Sequence, residues 1–393
     1  MALYHFTLPP TLKTLMAFLQ ERTNKVRIVG GYVRDSILGL PSNDIDLTTD
    51  LLPEEAISHL QRRFTVIPTG LRYGTVTCIV DGHSYEITTL RRDVECYGRD
   101  AKVAYTDSFE EDARRRDFTI NALSYDGARV FDYFHGMEHL QTRKVAFIGD
   151  PHERITEDYL RMMRFFRFTS RYAHAPDEAA RDAICALKYN LVHVSMERIG
   201  QEITKFGSKA LYCFALMEEC GLWEVLLPGM RVLLAPINHG HQLSYQAALA
   251  VLLRANDQQS VARAIESLRL SSGQVKQVLL YLQLIEAGFK QDHYANLRRW
   301  WYRDPDSIDQ AIAVLTCLGF IQEAQSCEYK TALEGLARRT FPISGNDLIA
   351  WGFSGSEIGR IKEHLLQAWL ASDMRLSKAE LHQIAMERSF FYP

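Results

Sequence analysis

Residues 30 to 47 read Gly-Gly-Tyr-Val-Arg-Asp-Ser-Ile-Leu-Gly-Leu-Pro-Ser-Asn-Asp-Ile-Asp-Leu, and this run restricts the fold more than any other. The preceding Val26-Arg27-Ile28-Val29 has the composition of a buried strand. Gly30 and Gly31 then permit a tight turn that a side chain would block, and Tyr32 to Leu38 reads as a helix. A strand, a glycine turn and a helix start leave backbone N–H groups free to bind an anion. Arg34 falls in the first helical turn, where its fork reaches phosphate oxygens. Asp44-Ile45-Asp46 follows. On a strand, residues two apart share a face, so Asp44 and Asp46 are expected to present two carboxylates on one side with Ile45 in the core. Mg²⁺ is commonly held by one or two carboxylates together with substrate phosphates. A triphosphate cradle beside a Mg²⁺ site points to transfer of a nucleotidyl group.

The chain has 393 residues, enough for two to four domains. Its net charge of −3 means that any contact with nucleic acid must come from a local basic patch. The N-terminus has no basic segment followed by an apolar run, and no stretch approaches about 18 consecutive apolar residues. A cytoplasmic protein with no membrane partner is therefore expected. The cysteines Cys78, Cys96, Cys185, Cys213, Cys220, Cys317 and Cys327 are scattered and odd in number. That pattern predicts neither a disulfide framework nor a structural zinc site. His239-Gly240-His241 is the one close histidine pair and reads as a loop, because no further ligands accompany it.

Up to about residue 140 short strands alternate with helices. Val26–Val29, Asp44–Leu47, Thr75–Val80, Ser84–Leu90 and Val130–Tyr133 read as strands, and Thr11–Gln20 and Glu54–Arg63 as amphipathic helices. From about residue 153 helical periodicity takes over, with helices expected at 156–172, 176–188, 196–205, 208–221, 243–255, 258–270, 273–287, 305–318, 320–336, 345–352, 355–370 and 377–388. The fold class expected is α+β, an N-terminal small sheet with helices followed by an all-α remainder.

Three further stretches carry chemistry. Two-metal transfer needs a carboxylate near the attacking hydroxyl, and Glu86 is the candidate, on a strand that follows the turn at Asp81-Gly82. Arg115-Arg116-Asp117-Phe118-Thr119-Ile120-Asn121-Ala122 places Arg116 for a triphosphate, while Asp117 and Asn121 tie backbone together. In Glu157 to Arg171, Asp158, Arg161, Arg164 and Arg167 step by three and Arg171 follows by four, spacing that drifts slowly around one helix face. The Asp158 carboxylate accepts hydrogen bonds and the Arg161 guanidinium donates them. Cytosine and adenine share an amino donor beside a ring-nitrogen acceptor, so this pair would read C and A and reject U and G.

On these motifs the chain resembles the class II tRNA nucleotidyltransferases, the CCA-adding enzymes related to bacterial poly(A) polymerases, over nearly its whole length. The resemblance implies a polymerase-beta-type nucleotidyltransferase head at 1–140, a helical neck at 141–205, a helical body at 206–338 and a helical tail at 339–393. It implies that Asp44 and Asp46 hold Mg²⁺ and, with Glu86, are catalytic. Gly30, Gly31, Arg34, Arg116, Asp158, Arg161, Arg164 and Arg167 would bind nucleotide. CTP and ATP would be substrates, and body and tail would grip the acceptor and T arm of tRNA by shape and phosphate contacts. Glu197-Arg198-Ile199-Gly200-Gln201-Glu202 looks like the family's supporting helix-turn element. The charged region Arg91 to Asp112 favours addition of the final A. Thr69-Gly70-Leu71-Arg72-Tyr73-Gly74-Thr75 is closer to the CCA-adding form than to the poly(A) polymerases. A CC-adding or A-adding partial enzyme, a poly(A) polymerase and an inactive RNA-binding protein stand as alternatives.

Overall fold

The computed structural model describes residues 2–4, 6–42, 44–97, 100–234, 241–289, 292–336 and 339–389, with backbone alone at the outer part of one hairpin and at the chain ends. His239 and Gly240 of the histidine pair and Arg99 of the charged region lie outside the described residues. The chain divides into two units, residues 1–207 with 216–228, and residues 208–215 with 229–393.

The first unit is built on a mixed sheet. In chain order its strands are β1 (Ala2–Leu3), β2 (Val26–Val29), β3 (Asp46–Thr49), β4 (Thr65–Gly70), β5 (Thr75–Val80) and β6 (His83–Thr89). A separate hairpin, β7 (Arg91–Tyr97) and β8 (Asp100–Tyr105), follows. The main sheet is completed by β9 (Ser124–Tyr125) and β10 (Arg129–Phe131), giving the order β1-β10-β9-β2-β3-β6-β5-β4. β3 and β6 run parallel in the register Asp46↔Glu86, while β2 pairs antiparallel with β3 in the register Val29↔Asp46.

Helices α1 (Pro10–Gln20) and α3 (Pro53–Leu60) pack on each other and on β5, α1 burying Leu12, Leu15 and Leu19 completely. Between them, α2 (Gly31–Ile37) leaves the glycine turn. The short α4 (Phe109–Arg114) and α5 (Gly136–Gln141) lead into α6 (Pro151–Glu157), α7 (Arg161–Tyr172), α8 (Glu178–Leu187) and α9 (Met196–Ile203). Apolar residues at helical spacing bind α7 to the rest of the unit: Phe118 packs against Phe147, Phe165 and Phe168, with ring centroids 4.8, 6.4 and 5.2 Å away.

Three expectations are corrected here. The strand carrying the acidic pair begins at Asp46, so Asp44 and Ile45 precede it. β2 ends at Val29 because Gly30 turns away with φ +71°, and residues before Asp46 find no partner strand. The helix expected at 156–172 is two helices, broken at Asp158, whose backbone is extended (φ −151°, ψ 105°). The Asp158 carboxylate accepts the Leu160 N–H at 3.1 Å and starts α7 afresh. Finally, Cys185 and Cys220 form a disulfide, their Cα atoms 4.7 Å apart. The fold joins residues that sequence spacing leaves 35 apart.

Helix α10 (Ala210–Glu219) runs across the division between the units, and α11 (Leu222–Leu226) belongs to the first. The second unit is helical among its described residues, with α12 (Tyr245–Leu253), α13 (Gln258–Ser267), α14 (Ser272–Gly288), α15 (His293–Arg303), α16 (Ile308–Cys317), α17 (Glu323–Glu334), α18 (Gly345–Ala350), α19 (Ser356–Ala371) and α20 (Lys378–Ser389). Helix α12 is apolar apart from Gln246 and is buried accordingly. Among the described residues no helix is long and apolar enough to cross a membrane.

Candidate active site

A cavity of about 450 Å³ opens in the first unit where the glycine turn meets α7. Gly30, Gly31, Arg34 and Asp46 line it from the sheet side, and Arg116, Asp117 and Asn121 from the segment after α4. Asp158, Leu160, Arg161, Arg164, Phe168 and Arg198 line it from the helical side. Five of these residues are arginines and three are aspartates, a balance suited to a polyanion.

The glycine turn brings backbone close to an arginine. Gly30 has φ +71°, and a Cβ there would stand 3.0 Å from Nη1 of Arg116. The missing side chain thus serves both the backbone angle and the approach of an arginine. Arg34 is 6% exposed. It donates from Nε and Nη2 to the two carboxylate oxygens of Asp35 at 2.9 and 3.0 Å, and from Nη1 to Oδ1 of Asn121 at 2.5 Å. A guanidinium has five N–H groups, so two remain for a ligand.

Asp117 ties the local backbone as expected, whereas the Asn121 side chain bonds other side chains, those of Asp117 and Arg34. Oδ1 of Asp117 accepts from the Phe118 N–H at 2.8 Å and from Nδ2 of Asn121 at 2.9 Å. Oδ2 accepts from Nε of Arg164 at 2.7 Å. Burial alone would raise the Asp117 carboxyl, but Arg164 and these hydrogen bonds outweigh it and bring it down to about 2. Asp117 therefore stays ionised inside the protein.

The carboxylates behave differently at the other side. Asp46 is pushed up to about 6, first by burial and then by the charges of Asp44 and Glu86, with Arg116 opposing. Asp44 is exposed, and neither Asp44 nor Glu86 lines the cavity itself. Among the described residues no complete set of three or more protein ligands for a metal is assembled. Mg²⁺ does not require one, since it usually keeps waters and takes substrate oxygens beside one or two carboxylates. The mutual repulsion felt by Asp46 is the signature of a site that a cation would relieve, and all-oxygen donors fit Mg²⁺.

The residues expected to read the base are engaged in an arrangement that spacing did not reveal. Asp158 Oδ2 accepts from Nη2 of Arg198 at 2.9 Å, whereas Arg161, on the wall of the same cavity, bonds other partners. Nη1 of Arg161 donates to Glu157 at 2.5 Å and to the Arg154 carbonyl at 2.7 Å, and Nη2 to the Arg115 carbonyl at 3.3 Å. Arg167 does not line the cavity; its Nε donates to Glu202 at 2.6 Å. Arg198, Asp35 and Phe168 were not foreseen as site residues. Arg198 does lie in the Glu197–Glu202 run, where alternating charge on a short helix was the available signal.

Residues 26–146 match the Poly A polymerase head domain, and residues 175–234 match the probable RNA and SrmB-binding site of polymerase A. The chain is 33% identical over 390 residues to CCA tRNA nucleotidyltransferase 1, mitochondrial, of Danio rerio, covering 93% of this chain and 88% of that protein. It is 29% identical over 400 residues to the CCA-adding enzyme of Anoxybacillus flavithermus, covering 94% of each. Its fold is similar to that of the Bacillus stearothermophilus CCA-adding enzyme in complex with CTP, with a TM-score of 0.72 and 24% identity over 98% of this chain and 99% of that one. The Thermotoga maritima CCA-adding enzyme complexed with tRNA superposes with a TM-score of 0.64 at 19% identity, over 97% of this chain and 96% of that one.

Proposed function

The chain belongs to the class II CCA-adding tRNA nucleotidyltransferase family, and from that premise we propose how its residues carry out the reaction. The enzyme adds C, C and A to the 3′ end of tRNA from CTP and ATP, without a nucleic-acid template, and releases pyrophosphate. The observation that carries the site assignment is the cavity in which the glycine turn, four further arginines beside Arg34, and Asp158 face one volume.

In this reading the glycine-turn N–H groups at Gly30 and Gly31, with Arg34 and Arg116, bind the triphosphate. Asp44 and Asp46 would hold Mg²⁺, which would neutralise phosphate charge and lower the pKa of the attacking hydroxyl. Glu86 helps to take the proton from the terminal 3′-OH as that oxygen attacks the α-phosphorus. The α–β bridging oxygen then leaves with pyrophosphate, its charge spread over the arginines.

Asp158, held by Arg198, accepts from the exocyclic amino group of cytosine or adenine. Arg161 supplies the donor for the ring nitrogen from the N–H groups that its carbonyl and Glu157 bonds leave over. Uracil and guanine would face these groups with unmatched donors and acceptors. Arg164 keeps Asp117 ionised and lends positive charge to the cavity wall. Arg167 acts behind that wall through Glu202.

We further assign residues 1–140 to the catalytic head, 141–205 to the base-selecting neck, 206–338 to the body and 339–393 to the tail that contacts tRNA. We place the enzyme in the cytoplasm. The discriminating experiment supplies Mg²⁺, CTP and ATP with tRNAs ending at the discriminator base, at C or at CC. Extension of each to a full CCA end supports complete addition, whereas a stop after CC, or action on the CC-ended tRNA alone, would indicate a partial enzyme. Asp44→Ala should abolish incorporation and leave tRNA binding nearly unchanged.

A further inference from the structure

Arg34 and Asp35 are consecutive on α2, and consecutive helical residues do not normally face one another. Here they form a buried bidentate pair, with Asp35 4% and Arg34 6% exposed. Two residues of α7 reach Asp35, the first being Arg171, whose Nη2 lies 3.7 Å from Oδ2. The Tyr172 hydroxyl donates to Oδ1 of Asp35 at 2.8 Å, and the Arg34 guanidinium carbon lies 4.2 Å from the centre of the Tyr172 ring. Tyr172 is itself 4% exposed. One side chain therefore holds the arginine by its face and the arginine's carboxylate by a hydrogen bond.

The chain of contacts continues. Arg34 bonds Asn121, Asn121 bonds Asp117, and Asp117 bonds Arg164. Arg164 and Tyr172 both lie on α7, eight residues and about 12 Å apart at 1.5 Å per residue. The circuit leaves α7, passes through the glycine-turn helix and the Asp117 segment, and returns to α7. Burial pushes the Tyr172 hydroxyl up to about 12, with the Asp35 hydrogen bond adding to this and Arg34 opposing. Tyr172 thus remains a proton donor at any working pH.

We propose that Tyr172 is a positioning residue for triphosphate binding: it closes this circuit and aims the two uncommitted N–H groups of Arg34 into the cavity. The proposal rests on the reading of Arg34 as a phosphate ligand. Tyr172 acts on the part common to CTP and ATP, so it sets affinity for the triphosphate without setting the choice of base.

The test is Tyr172→Phe, which keeps the ring and removes the hydroxyl. KM for CTP and for ATP should rise together, roughly three- to tenfold for one charge-assisted hydrogen bond acting through Asp35. The dissociation constant of inorganic tripolyphosphate, measured by calorimetry without tRNA, should rise by the same factor. kcat should change less than twofold, and CTP/UTP selectivity should stay at the wild-type ratio. A loosened fold would lower kcat and active-enzyme yield without this split. Wild-type values of both KM and the tripolyphosphate constant would overturn the proposal, as would a changed base selectivity. Should Tyr172→Phe fail to fold, Asp35→Asn decides by the same constants, and unchanged values overturn it. Failure of the wild-type protein to extend tRNA would instead count against the functional reading, while the tripolyphosphate measurement would still judge Tyr172.

Discussion

Asp46 and Glu86 stand directly opposite one another on neighbouring parallel strands, and with Asp44 they crowd negative charge around one partly buried carboxylate. Asp46 titrates near 6 in place of its ordinary 3.8. The folded state therefore holds this proton more tightly than the unfolded chain. The group's contribution to stability is greatest at low pH and is lost as pH rises from 3.8 through about 6. At neutral pH and without divalent metal, Asp46→Asn should stabilise the fold by up to about 3 kcal/mol, the value of the gap at 1.36 kcal/mol for each tenfold step. Urea denaturation in chelator should show the gain shrinking toward pH 4, while incorporation is lost at every pH.

If Asp46 holds Mg²⁺ as proposed, a proton would compete with the metal for it below about pH 6. The kcat/KM measured at limiting Mg²⁺ should fall as pH drops through that region, and added Mg²⁺ should restore much of it. A profile that is flat between pH 5 and 7, or indifferent to Mg²⁺, would argue against Asp46 as a ligand.

Gly30→Ala combines two penalties at one atom. The backbone sits at φ +71° and ψ −128°, a region that side-chain-bearing residues enter at a cost of about 1–3 kcal/mol. The new Cβ would also press on Nη1 of Arg116 at 3.0 Å. Denaturation should report a loss in that range, and nucleotide KM should rise because Arg116 must move.

Much of the head was legible in the sequence because its elements are local. The apolar run Val26–Val29 is the strand that was read, and the two glycines mark the turn into α2. What was missed depended on neighbours. Asp44 was read as part of a strand, yet strand pairing starts at Asp46 because β2 offers nothing opposite the earlier residues. The charged region after residue 90 forms the β7–β8 hairpin, whose alternation is hidden by its polar composition. Helix α15, His-Tyr-Ala-Asn-Leu-Arg-Arg-Trp-Trp-Tyr-Arg, is hard to read from sequence because arginines interrupt its apolar face. At the site, the Asp/Arg spacing picked out two residues that line the cavity, but only the break in the helix at Asp158 brings that residue against Arg198. No local pattern announces a contact between residues 40 apart.

Breaking the Asp117–Arg164 pair should cost far more than a surface ion pair. Asp117 is 7% exposed and would be left ionised without its guanidinium. Arg164→Met should destabilise the protein by about 3 kcal/mol or more near neutral pH. Because Asp117 is held near 2, its contribution to wild-type stability is present above the ordinary value of 3.8 and lost as pH falls toward 2. The gap between wild type and variant in denaturant midpoint should therefore narrow in acid.

In the proposed mechanism, protein side chains, and not a nucleic-acid strand, choose the incoming base. The direct measurement is single-nucleotide incorporation by Asp158→Ala, with CTP, ATP, UTP or GTP offered one at a time to a tRNA lacking its CCA end. Continued but slower transfer is expected, with UTP and GTP gaining on CTP by about tenfold or more, the loss expected when the acceptor no longer penalises a mismatched base. Selectivity for CTP over UTP equal to that of the wild type would contradict it.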